Sequence, residues 1–243
     1  MPGAIIHQGP SLLDGAPIFV TAIWSSKNRK TGSMLQTYIM RSDMDPLTAS
    51  KLGEDYSICG DCPHKGVPTL DVERSVAEQR ACYVNLGQGP LMVWRAYQRG
   101  NYPLHDNMLA RADLGRGQKI RLGSYGDPAA VPAEVWEQLL KFSEGLTGYP
   151  HQRHPRGAAF KPWMTMVSAD SLGEARSAWQ RGWRTFRIVQ SPAELVRGKE
   201  VLCPASAEAG HRTTCANCML CAGSQQAARS IAIVAHGAGR SFV

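Results

Sequence analysis

A chain of 243 residues with 43% hydrophobic side chains can bury one sizeable core, and its length suits a single-domain α/β barrel. No run approaches the roughly 20 apolar residues of a membrane-spanning helix, and the N-terminus lacks the pattern of a secretory signal, so we expect a cytoplasmic protein with no membrane partner. The 27 Lys and Arg against 20 Asp and Glu give a net charge of +7, which favours a polyanionic partner without requiring one.

Six short segments rich in β-branched or aromatic residues predict strands, and turn residues bound each of them. In chain order they cover residues 33–40, 81–86, 119–125, 163–169, 185–189 and 230–235. The first 30 residues show little periodicity. We therefore expect an N-terminal arm at residues 1–30 and a single barrel domain at residues 31–243.

Helix patterns separate the predicted strands. Residues 132–146 begin with a proline and carry apolar side chains at helical spacing, and Ser171 is a candidate N-cap for a helix at 171–181, with Glu174 three residues further on. Strand, capped helix and strand then follow one another from 163 to 189. This order is typical of a βαβ unit with parallel strands and a right-handed crossover.

Repeated βαβ units form either a (β/α) barrel or an open doubly wound sheet. No G-x-G-x-x-G follows a predicted strand, whereas Asp43, Asp127 and Asp170 each stand just beyond one. In a barrel these positions meet at the C-terminal face, where active sites form. We therefore expect an α/β fold of the TIM-like (β/α) barrel type, with fewer than eight strands compatible with the length, and with cysteine-rich metal-binding insertions.

Asp127 is the best candidate for chemistry among these acids. It lies in Gly123-Ser-Tyr-Gly-Asp-Pro128, where two glycines and a proline fix an unusual backbone around one carboxylate. The alternative is a structural turn, because Asp often caps a helix that follows a strand. For Asp170, which directly precedes a helix pattern, we favour the capping role.

A proline-rich segment at residues 149–156 combines a tyrosine with several basic or titratable side chains. Such a composition suits a phosphate-binding loop and, equally, a solvated surface loop. Its candidate substrate contacts are His151 and Arg153.

All seven cysteines fall into two groups with the spacing of metal ligands, which suits a reducing compartment better than a disulfide framework does. The first group, at 59–82, contains Cys59, Cys62 and Cys82. Either His64 or His236 completes it, or the metal keeps one position open for water or a substrate.

The second group, at 203–221, contains Cys203, Cys215, Cys218 and Cys221. Thiolates at i, i+3 and i+6 can turn around one ion, and a sulfur from a distant residue completes four-fold coordination. Zinc is the expected metal, with a [4Fe-4S] cluster as the alternative. The run resembles the ligands of a bacterial four-iron cluster, although its Cys-Pro comes first instead of last.

From about Thr31 onward, the order of several motifs resembles a family of phage and mobile-element proteins. The motifs are MRSD, CGDCPH, CYV, GQGP, RLGSYGDPAAVP, SADSL, RGWRTFRIV, CPAS with CxxCxxC, and a terminal AHG. Some members of that family are assigned to the phage DNA transglycosylases of the DpdA group. These are relatives of tRNA-guanine transglycosylase and place 7-deazaguanine bases into DNA.

The resemblance implies an enzyme in which one Asp attacks C1′ of the nucleotide and expels guanine, while a second carboxylate handles the proton on the incoming base. It assigns Asp127 as nucleophile and Asp43 as general acid or base, with Tyr125 stacking on the base beside Ser124 and Gly126. The implied partners are DNA with its target nucleotide turned out and a base such as 7-cyano-7-deazaguanine, in the cytoplasm of an infected bacterial host. A zinc site late in the chain also fits. The DSGGFQ-type motif of the tRNA enzymes is missing, and the first cysteine group has no counterpart in them.

Two other hypotheses remain open. In the first, Cys59, Cys62 and Cys82 hold a four-iron cluster with one open iron, as in radical enzymes that use S-adenosylmethionine, although the spacing differs from the usual C-x3-C-x2-C. In the second, the chain is a non-enzymatic nucleic-acid binder with two zinc modules, which accounts for the charge and the cysteines but not for Gly-Ser-Tyr-Gly-Asp.

Overall fold

The computed structural model describes residues 2–24, 28–152, 161–237 and 239–242. The strands in these ranges are β1 (Gly3–Pro10), β2 (Pro17–Ile23), β3 (Leu35–Arg41), β4 (Lys119–Tyr125), β5 (Gly145–Thr147), β6 (Val167–Ala169), β7 (Thr185–Val189), β8 (Glu200–Leu202) and β9 (Ser230–Val234). The α-helices are α1 (Pro46–Leu52), α2 (Tyr56–Cys59), α3 (Gly89–Gln98), α4 (Met108–Gly115), α5 (Ala133–Leu140), α6 (Leu172–Gln180) and α7 (Cys215–Cys218). No helix in the described ranges is both long enough and apolar enough to cross a bilayer.

The strands form two sheets, and most of the pairings are parallel. The first sheet has the order β1-β2-β3-β4-β5, in which β1, β2 and β3 are antiparallel and β3, β4 and β5 are parallel. The second has the order β6-β7-β9-β8 and is parallel throughout. The predicted βαβ unit is confirmed, because β6 pairs with β7 in parallel and α6 lies between them in the chain.

Backbone hydrogen bonds also connect the two sheets. The N–H of Met166 donates to the carbonyl oxygen of Gly148, and the N–H of Ser168 donates to that of Pro150, both at 3.0 Å. The chain just beyond β5 therefore runs beside the chain that enters β6. The α/β class is confirmed, whereas no closed ring of hydrogen-bonded strands is seen in the described part of the chain.

The first 30 residues, which we expected to form an arm, supply β1 and β2 to the first sheet. Their side chains belong to the main core, and the Phe19 ring stacks on Tyr97 with the centroids 3.7 Å apart. Residues 18–23 are all buried, so β2 lacks the alternation of apolar and polar residues that marks a half-exposed strand. The predicted boundary at residue 30 falls between β2 and β3, which are hydrogen-bonded neighbours.

The predicted strand at 81–86 is wrong, since this segment is irregular in the structure. Two of its carbonyl groups accept hydrogen bonds from a side chain instead of from a neighbouring strand. The guanidinium of Arg80 donates to the carbonyl oxygens of Cys82 at 2.8 Å and Val84 at 2.9 Å. This loop carries Cys82 to the carboxyl ends of β3 and β4.

Candidate functional site

A cavity of about 600 Å³ lies where both sheets present side chains, and we call it the large cavity. Ligand pockets commonly have volumes of about 300 to 1,000 Å³. Its wall includes side chains of β3, β4, β5, β7 and β9 and of the loop between β8 and α7. Among them are Gln36, Arg121, Thr147, Phe186, Ile231 and, from that loop, Cys203. The wall also includes residues 203–205 after β8 and 234–236 at and beyond the end of β9, so the cavity reaches the carboxyl ends of these strands, where ligands bind in α/β folds.

A row of polar side chains crosses the wall of the large cavity. Gln36, Arg121 and Thr147 are register partners on β3, β4 and β5, and each is less than one-tenth exposed. Arg121 donates from Nη2 to the Tyr149 hydroxyl at 2.5 Å, and its guanidinium lies 4.2 Å from the centre of that ring. Tyr149 in turn stacks on Phe186, with the ring centroids 3.9 Å apart and the planes at 6°. Arg121 is thus fixed in place at the centre of the cavity wall.

The second cysteine group lies on the wall of the large cavity. Cys203 follows β8, Cys215 and Cys218 begin and end α7, and Cys221 comes three residues later. Burial raises the pKa of the Cys221 thiol to about 12, and the neighbouring Arg121 opposes that rise, while the other three cysteines of the group add to it. These four thiols are therefore electrostatic neighbours, and in the described residues no three of them lie within 4.8 Å of one another.

Two backbone hydrogen bonds attach α7 to the N-terminal half of the chain. The N–H of Cys215 donates to the carbonyl oxygen of Lys30 at 2.8 Å, and the N–H of Ala216 donates to that of Thr31 at 3.0 Å. Lys119, at the start of β4, donates from Nζ to the carbonyl oxygen of Ala216 at 2.8 Å. The loop before β3 and the start of β4 thus position the second group over the cavity.

The first cysteine group borders a smaller cavity of about 120 Å³. Cys59 ends α2, and Cys82 donates its backbone N–H to the carbonyl oxygen of His64 at 2.8 Å. Burial raises the pKa of the Cys59 thiol well above its usual value, and nearby Asp55, Cys62 and Cys82 add to the shift. The small cavity shares wall residues with the large one, namely Tyr83, Val84, Arg121, Ser124 and Tyr149.

Two histidines and an aspartate meet beside the first cysteine group. Oδ1 of Asp170 lies 3.0 Å from Nε2 of His64 and 3.2 Å from Nε2 of His151, and the three ligand atoms lie within 4.8 Å of one another. Burial opposes ionisation of Asp170, but hydrogen bonds from both imidazoles hold its pKa well below the usual range. The pKa of His151 is raised well above its usual value. Burial opposes this rise, but the hydrogen bonds to Asp170 and Cys62 outweigh burial. These residues can hold a metal ion.

Asp127 is buried and anchored by three backbone amides. Its Oδ1 accepts the N–H of Ala129 at 2.8 Å, and its Oδ2 accepts those of His151 at 2.6 Å and Gln152 at 3.0 Å. Burial raises the pKa of Asp127, and these amides only partly offset it. The carboxylate caps the short 3₁₀ helix Pro128–Ala130 and attaches residues 151–152 to it, while also lining the small cavity.

Asp43, the predicted acid or base, forms a two-pronged ion pair with Arg41 at 2.9 and 2.8 Å. Its side chain is 46% exposed, and it lines neither cavity. The structure therefore does not bring Asp43 together with Asp127 at a cavity wall.

The other predicted substrate contacts are mostly close to Asp127. Ser124 lines both cavities, and Tyr125, Gly126 and His151 line the small one. Gly126 has φ +81°, and a Cβ atom there would lie 2.7 Å from the carbonyl oxygen of Ile39, so only glycine fits. Arg153 lies outside the described residues.

Three residues at the site were not assigned from the sequence. Arg121 and Tyr149 form the centre of the cavity wall, and an arginine in the middle of a predicted buried strand is the signal that could have indicated Arg121. Asp170 is not the helix cap, because the Ser171 hydroxyl accepts the N–H of Glu174 and leaves the Asp170 carboxylate to the histidines. No protein-family model, curated protein or solved structure matches this chain.

Proposed function

We propose that the protein is an iron–sulfur enzyme that acts on a nucleotide or nucleic acid bound in the large cavity. The observation that carries this proposal is the arrangement of two groups of neighbouring thiols around adjoining cavities. Among the described residues no three of the cysteine sulfurs lie within 4.8 Å of one another, and both groups border open cavities.

Zinc requires its ligands to be close together. Tetrahedral coordination at Zn–S distances of about 2.3 Å places the sulfur atoms about 3.8 Å apart. Among the described residues, which include all seven cysteines, the group whose three ligand atoms lie within 4.8 Å of one another consists of His64, His151 and Asp170, with no cysteine in it. In a four-iron cluster each thiolate binds a different iron, so the sulfur atoms stand farther apart. The spacing supports a cluster over a single zinc ion.

The two groups differ in their number of ligands. The second group offers four thiols and suits a fully ligated four-iron cluster. The first offers Cys59, Cys62 and Cys82, which leaves one iron for a histidine or for an exogenous ligand. A cluster with an open iron supplies electron transfer or direct binding of a substrate group. His151, held by Asp127 and Asp170, stands at the edge of this position.

The location of both groups supports an enzyme over a binding module. The first group borders the small cavity and the second group borders the large cavity. The two cavities share Arg121 and Tyr149 in their walls. We further propose that the two sheets are parts of one barrel wall, because hydrogen bonds join them at 148–150 and 166–168 and their side chains line a common cavity.

DNA transglycosylation with 7-deazaguanine is the second candidate function. One observation favours it: Asp127 is a buried carboxyl with a raised pKa that lines the small cavity beside Ser124 and Tyr125. It ranks second because amides already occupy both oxygens of Asp127, and because Asp43 lies outside both cavities.

The test compares metal content and activity in matched variants. In anaerobically purified protein, Cys82→Ser should lose the metal of the first group and keep that of the second. Cys218→Ser should lose the metal of the second group and keep that of the first. Each variant is therefore the control for the other. Iron and acid-labile sulfide should fall together by about half in each variant. A colourless protein with stoichiometric zinc would overturn the proposal. Incorporation of labelled 7-deazaguanine into DNA by the wild type, and its loss in an Asp127→Asn protein that keeps the wild-type fold and metal content, would establish the second candidate instead.

A further inference from the structure

We propose that Arg121, Thr147 and Ser124 form a phosphate subsite in the large cavity, and that the ligand there is a phosphate-bearing nucleotide. The inference rests on the proposed function in taking the large cavity as the substrate site, and it names the chemistry of the substrate. Its evidence is separate from the arrangement of the thiols.

The three side chains line the same cavity because of the strand register and one glycine. Arg121 and Thr147 are opposite each other on the parallel strands β4 and β5, so their side chains emerge on the same face of the sheet. Gly123 has φ +65°, which breaks the alternation of β4. As a result Ser124, three residues after Arg121, also lines the large cavity.

All three residues have unused hydrogen-bonding capacity at this wall. Thr147 is 2% exposed, and neither its hydroxyl nor that of Ser124 has a hydrogen-bond partner. Arg121 is 6% exposed, and no carboxylate in the described part of the chain pairs with it. Buried donors without acceptors are costly, so their clustering points to a ligand that supplies several acceptor oxygens.

The charge at the subsite also suits an anion. An arginine guanidinium stays charged at any pH that the protein tolerates, and Arg121 is only 6% exposed, so it favours an anionic partner in the cavity. The hydrogen bond to Tyr149 uses Nη2 and leaves the other donors of the fork available. A guanidinium beside two hydroxyl groups matches the tetrahedral oxygens of a phosphate.

The surroundings of the subsite suit a base attached to that phosphate. Tyr149 and Phe186 form a flat stacked pair on the same cavity wall, and Tyr38 and Tyr83 line it as well. Aromatic side chains bind nucleobases by stacking. The volume of about 600 Å³ is enough for a nucleotide.

The experiment measures binding of guanosine 5′-monophosphate and guanosine to the full-length protein by calorimetry. Wild type should bind the nucleotide about 10- to 100-fold more tightly than the nucleoside, because charged hydrogen bonds to phosphate contribute that much. Arg121→Gln should remove this preference. The matched control is Arg116→Gln, which deletes an exposed arginine paired with Asp113 and should keep the preference. An unchanged preference in Arg121→Gln would overturn the proposal.

The variant Thr147→Val keeps the shape of the side chain and guards against misfolding of Arg121→Gln. It should weaken binding of the nucleotide several-fold while leaving guanosine binding unchanged; equal effects on both ligands would contradict the subsite. A third measurement uses a short single-stranded oligodeoxynucleotide. If it binds more tightly than the mononucleotide, the subsite binds a phosphodiester of a strand. If it binds more weakly, the subsite binds a free nucleotide.

The two proposals fail in different ways. If the protein contains zinc and Arg121→Gln still abolishes the preference for phosphate, the iron–sulfur function is wrong and the subsite stands. If iron–sulfur clusters are present and the preference survives Arg121→Gln, the subsite is wrong and the function stands.

Discussion

The Asp127 carboxylate accepts the backbone N–H of His151 at 2.6 Å and so places that imidazole between Asp170 and the first cysteine group. The same carboxylate caps the turn Pro128–Ala130 through Ala129. One buried side chain therefore joins the end of β4 to the chain beyond β5. Its structural role follows from these two bonds and from a third, which it accepts from the N–H of Gln152, whatever the reaction is.

We predict that Asp127→Ala destabilises the protein by about 2–4 kcal/mol, because three amides lose a buried acceptor. Asp127→Asn keeps one acceptor oxygen and should lose less. Urea unfolding measures both. The metal content of the first group should fall in parallel, since His151 is released. If Asp127 acted only as a nucleophile, both variants would keep wild-type stability and metal.

We predict that Asp170→Asn lowers the metal affinity of the first group about 10-fold or more, because carboxylates that orient histidine ligands commonly contribute this much. The matched control is Ser171→Ala in the next position. Loss of this N-cap should cost about 1 kcal/mol in unfolding free energy and leave metal affinity intact. Competition with a chelator measures the affinity, and equal affinities in the two variants would show that Asp170 has no role at the centre.

The buried ion pair of Arg187 and Glu200 should be essential for the second sheet. Its side chains are 5% and 0% exposed and meet through two bonds of 2.8 and 2.7 Å. We predict that Glu200→Gln costs about 3–5 kcal/mol, because it leaves a buried charge unpaired. The exposed pair of Arg116 and Asp113 is the control, and Asp113→Asn should change stability by less than about 1 kcal/mol. Similar costs at both pairs in denaturant titrations would refute this.

Stability should fall with rising pH through Asp55. Burial raises the pKa of this 3%-exposed carboxyl to about 6, only partly countered by Lys65 and Arg80. The folded state therefore holds this proton more tightly than the unfolded state, and the destabilising effect of ionisation develops from about pH 4 to 6 and stays constant above.

The expected loss across this range is on the order of 3 kcal/mol. Asp55→Asn removes the titration. The free energy of unfolding of the variant should therefore rise relative to that of the wild type between pH 4.5 and pH 7. Parallel pH profiles for the two proteins would contradict a raised pKa at Asp55.

Local patterns in the sequence predict the second half of the fold well. The bounds of β4 and β7 agree with the predicted segments, and the Ser171 hydroxyl caps α6 as expected. These elements are correct because caps and short apolar runs act within a few residues. β2 was missed because it is buried on both faces from residue 18 to residue 23. β1 was also missed, although its second half, residues 7–10, alternates between partly buried and exposed side chains. The segment 81–86 was misassigned, and Arg80, not a strand, binds the carbonyls of Cys82 and Val84.

The site could be predicted only in part. Cysteine spacing predicts the close neighbours Cys59 and Cys62, and Cys215, Cys218 and Cys221, since their spacing is a property of the local chain. That Cys82 and Cys203 border the same two cavities as these neighbours, respectively, depends on the fold. The association of Asp170 with His64 and His151 depends on contacts across 106 and 19 residues of sequence, respectively. The open donors of Arg121 and Thr147 depend on strand register. Neither feature can be read from neighbouring residues.

A Mössbauer spectrum of anaerobically purified protein from cells grown on isotopically enriched iron, combined with zinc analysis of the same sample, tests the central claim most directly. We expect the signals of four-iron clusters at about eight iron atoms per chain, with no stoichiometric zinc. A sample without cluster signals that contains two zinc ions per chain would contradict the claim.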